Sequence, residues 1–223
     1  AGIGIVGVAG REPLPGIFDQ DHVGAKPPGS CRIAFLGDSQ LITSGPLAYA
    51  GRLTYPKVLE SSLAREGLGG DRGQPVQILN AGISGYSSWQ GLMLLRSELA
   101  PLQPDVVVTA FGYHDSNRAL SHDHEVLTDD PWTWRLRSLM YRSRVLRLLR
   151  SLSLQSQARR NDRSEPRDRR MRVPPERFAR NLTTFAEMGR SAPFRLVFLL
   201  QPFRDASLVE QGAEHRRALL EVA

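Results

Sequence analysis

The chain has 223 residues, a formal net charge of +6 and 41% hydrophobic content, enough for one sizeable core and ordinary for a soluble globular domain. The one cysteine, Cys31, excludes an internal disulfide and a Cys-based zinc cluster. No apolar run reaches the roughly 18 to 20 residues of a membrane span.

The first ten residues, Ala1 to Gly10, are uniformly apolar and short. Together with the missing initiator methionine they read as the tail of a signal or anchor helix whose beginning is absent, with a first strand or a disordered tail as alternatives. Arg11 to Ser30 is rich in proline and glycine and reads as an extended lead-in, so 1–30 is set apart from a domain over 31–223. Ile33 to Leu36 is a short apolar run, expected to be a strand buried on both faces. Thr43 to Pro46 is a loop. Tyr55 to Glu66 predicts a helix with Val58, Leu59, Ser62 and Leu63 inward and Gly67 as its stop. A turn over Asp71 to Gln74 leads to a second strand, Val76 to Leu79. A helix over Trp89 to Leu99 follows, capped by Ser88, with Leu92, Leu95 and Leu99 on one face. Val106 to Phe111 is a third strand, Phe194 to Leu200 a fourth of the same buried type, and Ala206 to Val222 a last helix. Strands alternating with helices through short loops argue for crossovers and a parallel sheet.

An insertion over about 116–190 separates the third and fourth strands, too long for a simple crossover. Trp134 to Leu154 is amphipathic, and Trp132 and Trp134 are suited to packing it onto the sheet or to a membrane interface. Gln155 to Arg172 is polar, and Val173-Pro174-Pro175-Glu176 starts a helix through Met188. Arg135 to Arg180 holds fifteen of the 29 basic residues against four acidic ones. It reads either as a solvated arginine face or as a surface for an anionic membrane or polysaccharide. Stacking aromatics do not alternate with the arginines, which argues against nucleic acid.

The chemistry-bearing residues follow the first three strands: Gly37-Asp38-Ser39, Asn80-Ala81-Gly82-Ile83-Ser84-Gly85, and Gly112-Tyr113-His114-Asp115. Consecutive parallel strands put their carboxyl ends on one edge, where open α/β sheets bind ligands. Ser39 is there a nucleophile or a helix N-cap. His122, His124 and the acidic residues beside them could suggest a metal site, but read better as a polar loop. No metal and no cofactor is called for. With Gly45, these three stretches resemble the first three blocks of the SGNH/GDSL hydrolases, over about Arg32 to Phe203. Arg172 to Glu176, Asn181-Leu182 and the Gly16 to Gly24 lead-in are similar to membrane-associated bacterial members.

The resemblance implies a three-layer αβα sandwich with a parallel, flavodoxin-like sheet and a serine ester hydrolase acting on acyl or acetyl esters of a carbohydrate or lipid, exported or membrane-anchored in a bacterium. Ser39 would attack the ester carbonyl, the N–H groups of Ser39 and Gly85 would hold the oxyanion, and glycine at 85 would let the backbone approach. Asp38, Asn80, Gly112 and Asp115 would support these loops. Two departures stand out. His114 occupies the family's asparagine position, as oxyanion donor or substrate contact, as a base, or as filler. The family's C-terminal Asp-x-x-His pair is not found; Asp205 and His215 lie ten residues apart in an expected helix, so the chain reads as ending before that block. A second reading is therefore a non-catalytic relative that binds polysaccharide or anionic membrane through its Arg-rich insertion.

Overall fold

The computed structural model describes residues 22, 24–42, 54–68, 75–119, 121–126, 170–200, 210 and 212–222. The expected strand–helix alternation forms β1 (Cys31–Gly37), α1 (Tyr55–Arg65), β2 (Val76–Gly82), α2 (Ser88–Leu94) and β3 (Val106–Ala110). Then come two short helical turns, α3 (Tyr113–Ser116) and α4 (Asp123–Val126), which flank a two-residue strand, β4 (Arg118–Ala119). The chain is next described at β5 (Arg170–Met171), followed by α5 (Pro175–Ser191), β6 (Arg195–Phe198) and α6 (Ala213–Val222).

Four strands make an all-parallel sheet in the order β2-β1-β3-β6. Because successive residues of a strand face opposite ways, the apolar runs feed two cores. Ala34, Leu36, Leu79, Ala81 and Val107 pack with Leu92, Leu95, Phe178, Leu182 and Leu219 of α2, its extension, α5 and α6. Phe35, Ile78, Val108 and Ala110 pack on the other face with Leu41 and with Leu63 of α1. The result is a helix–sheet–helix sandwich of flavodoxin-like strand order, as expected.

Several element-level expectations need correction. Val58 and Leu59 of α1 are 45% and 36% exposed, while Pro56 is buried. The inward stripe runs through Pro56, Glu60 and Leu63, with Leu63 on the core and the Glu60 carboxylate adding a polar tie to the sheet. That carboxylate accepts the Ile78 N–H at 2.8 Å, on the outer edge of β2. The cap of α2 is Ser87; Ser88, the first helical residue, is committed to Asp115. That helix does not run regularly to Leu99 but passes at Leu95 into a π-turn, where Ser97 Oγ donates to Met93 O at 2.9 Å. Among the described residues β6 is the edge strand and is only partly buried. Only Leu196 and Phe198 join the core, and Val197 is 45% exposed. The expected helix from Val173–Glu176 through Met188 does form, as α5, and inserts Phe178, Leu182 and Phe185 into the main core. The apolar start, Thr43–Pro46, Asp71–Gln74, Trp132, Trp134–Leu154 and Asp205 lie outside the described residues.

Candidate active site

Gly37 sits opposite Gly82 on one side and Ala110 on the other, so β1, β2 and β3 end level with one another. The loops that follow are joined directly: Ile83 N–H donates to Gly37 O at 3.0 Å. Gly82 has no room for a side chain, since a Cβ there would lie 2.5 Å from Leu41 Cβ and 3.1 Å from Asp38 O. The three stretches that carry the candidate residues therefore share one sheet edge.

Ser39 opens a 3-10 turn, Ser39–Leu41, and is half-buried. Its N-cap is Asp38, fully buried, whose Oδ1 accepts the Gln40 N–H at 2.9 Å. Ser39 is thus not the cap of its own turn. Asn80 fastens that turn to β2: its Nδ2 donates to Leu41 O at 3.1 Å and its Oδ1 accepts the Gly82 N–H at 3.0 Å.

Gly85 is the third residue of a tight turn closed by Tyr86 N–H to Ile83 O at 3.1 Å, with φ +80°. That conformation favours glycine. Space does not require it, because a Cβ would meet nothing within 4 Å. The physical reason for glycine at 85 is therefore the turn.

In the third loop, Asp115 is fully buried and accepts Ser88 N–H at 2.9 Å, Ser88 Oγ–H at 2.6 Å and Gly112 N–H at 3.1 Å. Burial pushes its carboxyl up, against the Ser88 donors, His215 and Arg172, which favour the charged form. Asn181 of α5 donates to Ser88 Oγ at 2.8 Å and completes a bracket between the second and third loops. His114 lies 3.0 Å through Nδ1 from the Asn117 side-chain amide nitrogen. An amide NH2 only donates, so Nδ1 accepts and Nε2 carries the proton. Nε2 is buried, with no hydrogen-bond partner among the described residues. Burial lowers the His114 pKa, opposed by Asp38, reinforced by Arg172 and opposed again by Asp123. With the Asn117 amide nitrogen donating to Nδ1, Nε2 is the ring nitrogen that carries the N–H.

His215 of α6 lies behind the third loop, reaching it through Val173, whose N–H donates to Asp115 O at 3.1 Å. It is 1% exposed, packs on Phe178 with ring centroids 5.0 Å apart, and donates through Nε2 to Val173 O at 2.8 Å. His122 and His124 stack at 5.4 Å, and His122 Nδ1 donates to Met171 O at 2.7 Å. Among the described residues no group of three or more His, Cys, Asp or Glu could hold a metal ion.

Sequence reasoning missed the part of Arg172 and Asp123. Arg172 pairs with Asp123 through Nε at 3.0 Å and Nη2 at 2.8 Å, and donates from Nη1 to Gly85 O at 2.7 Å. By composition it is one more arginine at the end of an arginine-rich run. The resemblance over Arg172 to Glu176 marks the position, but its link to Gly85 and Asp123 shows only in the fold.

What fold and site define is a three-layer α/β protein with its polar loops gathered at the carboxyl edge of a parallel sheet. No protein-family model and no curated protein matches the chain. Solved structures do. It is similar to the lipase/acylhydrolase from Enterococcus faecalis at 19% identity and TM-score 0.49, over 86% of this chain and 70% of that one. An acetyl xylan esterase from Geobacillus stearothermophilus matches at 14% identity and TM-score 0.47, over 86% and 71%. The psychrotrophic esterase EstA from a Pseudoalteromonas species matches at 15% and 0.46, over 86% and 70%. Overlaps of this extent assign no residue a role.

Proposed function

We propose that the chain is a serine ester hydrolase of the SGNH/GDSL type. The observation that supports this reading is that the loops bearing Ser39, Gly85 and His114 leave three level strand ends, with His114 Nε2 lacking a hydrogen-bond partner among the described residues. Ser39 Oγ attacks the ester carbonyl carbon, and its proton passes to a base. The N–H groups of Ser39 and Gly85 and His114 Nε2–H receive the oxyanion, each such donor being worth on the order of 3 kcal/mol in the transition state. Collapse of the tetrahedral intermediate expels the alcohol, and water then releases the acyl group from Ser39.

With its Nδ1 lone pair taken by Asn117 and its Nε2 already protonated, His114 has no free site to accept a proton, which favours donor over base. Acyl or acetyl esters of a carbohydrate or lipid are the proposed substrates, met outside the cytoplasm. The arginines of 135–180 are the proposed contact with an anionic membrane or polysaccharide. Among the described residues no helix is long and apolar enough to cross a membrane.

Hydrolysis of p-nitrophenyl acetate and labelling by a fluorophosphonate probe test the reading on the full-length protein. We expect label on Ser39 and a loss of at least about a thousandfold in turnover for Ser39→Ala. Wild-type turnover in Ser39→Ala would remove the nucleophile. Absence of both label and turnover in the wild type would favour the non-catalytic binder.

A further inference from the structure

We infer that Arg172 is a positioning residue for the Gly85 turn, an inference about catalysis that rests on the ester-hydrolase reading. One guanidinium spans three partners of the second loop and its neighbourhood: Gly85 O at 2.7 Å, Gln90 Oε1 at 2.9 Å, and the Asp123 carboxylate in a two-point pair at 3.0 and 2.8 Å. The pair is largely withdrawn from water, with side chains 19% and 10% exposed. Its partners reach back to the same loop. Asp123 Oδ2 accepts Ser87 Oγ–H at 2.6 Å, and Gln90 Oε1 accepts Ser87 N–H at 3.2 Å. Residues 85, 87 and 90 are therefore held by one charged pair.

The pair is itself anchored by backbone. Arg172 N–H donates to Asn117 O and Asp123 N–H to Arg172 O, both at 2.8 Å, while β4 and β5 pair Arg118 with Met171. A strand bridge thus delivers the guanidinium from the far end of the insertion to the turn. The Gly85 carbonyl lies on the peptide just after the N–H assigned to the oxyanion. Holding that carbonyl fixes the residue between the two peptides, whose φ of +80° sets where the N–H is aimed. A planar fork can serve a carboxylate, a carbonyl and an amide at once; an ammonium of similar reach cannot.

Arg172→Lys in the full-length protein tests this, read by amide hydrogen exchange over 83–88 and by kcat and KM for p-nitrophenyl acetate. We expect exchange over 83–88 to rise at least about tenfold with β1 and β3 unchanged, and kcat to fall about ten- to a hundredfold with KM within about threefold. Unchanged exchange and kcat would overturn the inference, as would faster exchange throughout the sheet, which marks a merely structural role. If Arg172→Lys fails to fold, Asp123→Asn, which weakens the two-point pair, is read by the same criteria. Local exchange that responds in a protein without esterase activity would sink the proposed function and leave the positioning of the turn standing.

Discussion

His114 shows what a single residue contributes that its position in a motif does not reveal. Asn117, one helical turn on, donates into Nδ1, which leaves the N–H on Nε2, and burial lowers the ring's pKa. As an N–H donor, His114 can be replaced by asparagine, whose side-chain amide presents the same group. We expect His114→Asn to keep kcat for p-nitrophenyl acetate within about tenfold and His114→Ala to lose about a hundredfold or more. A base would give equal losses in both. The same burial has a stability consequence. A folded-state pKa below the ordinary 6.5 means the unfolded chain binds the proton more readily. His114 therefore costs stability as pH falls through that value and nothing above it.

At the scale of elements, α1 is the instructive case. Its apolar residues predict an inward face with Val58 and Leu59, yet the face that meets the sheet carries Glu60 and Leu63. Burial raises the Glu60 pKa, but hydrogen bonds from His22, Lys57 and the Ile78 N–H outweigh it and hold the carboxyl down at about 2. His22 Nε2 lies 2.7 Å and Lys57 Nζ 2.8 Å from its oxygens. Since the folded pKa is depressed from 4.5, the contribution is fully present above about pH 4.5 and is lost as pH falls towards 2. Thermal unfolding of Glu60→Gln should show a deficit on the order of 2 kcal/mol at pH 7 that shrinks to near zero at pH 2. A deficit independent of pH would assign the effect to packing instead. The link also covers an N–H on the sheet's outer edge, where an open strand invites pairing.

For the whole molecule, the charge distribution matters more than the net value. Part of the arginine-rich region lies on α5, where Arg177 and Arg180 line a groove of about 380 Å³ with Arg96 and Trp89. The Arg177 guanidinium stands 5.3 Å from the Trp89 ring centroid, and Glu187 is the acidic residue in the lining. If this flank meets an anionic polymer or membrane, sedimentation with vesicles containing phosphatidylglycerol should be salt-sensitive, lost between about 0.05 and 0.5 M. Arg177→Glu with Arg180→Glu should then weaken it at least about tenfold. Binding indifferent to both would make the arginines a solvated face.

The sequence by itself determined the four strands, their parallel direction and the sheet edge from which the loops bearing Ser39, Gly85 and His114 leave. Apolar runs interrupted by glycine are local signals, and each fully buried strand writes its own. The three motif blocks were legible for the same reason: each spans a few consecutive residues. What tertiary structure alone decided depends on partners far apart in the chain. Arg172 finds Gly85 and Asp123 across 87 and 49 residues. Ser88 is taken from capping by Asp115, 27 residues on, and Glu60 of α1 meets an N–H of β2 18 residues away. Hydrogen bonds of that reach leave no periodicity to read, because a buried donor requires only that an acceptor arrive, not where in the chain it comes from.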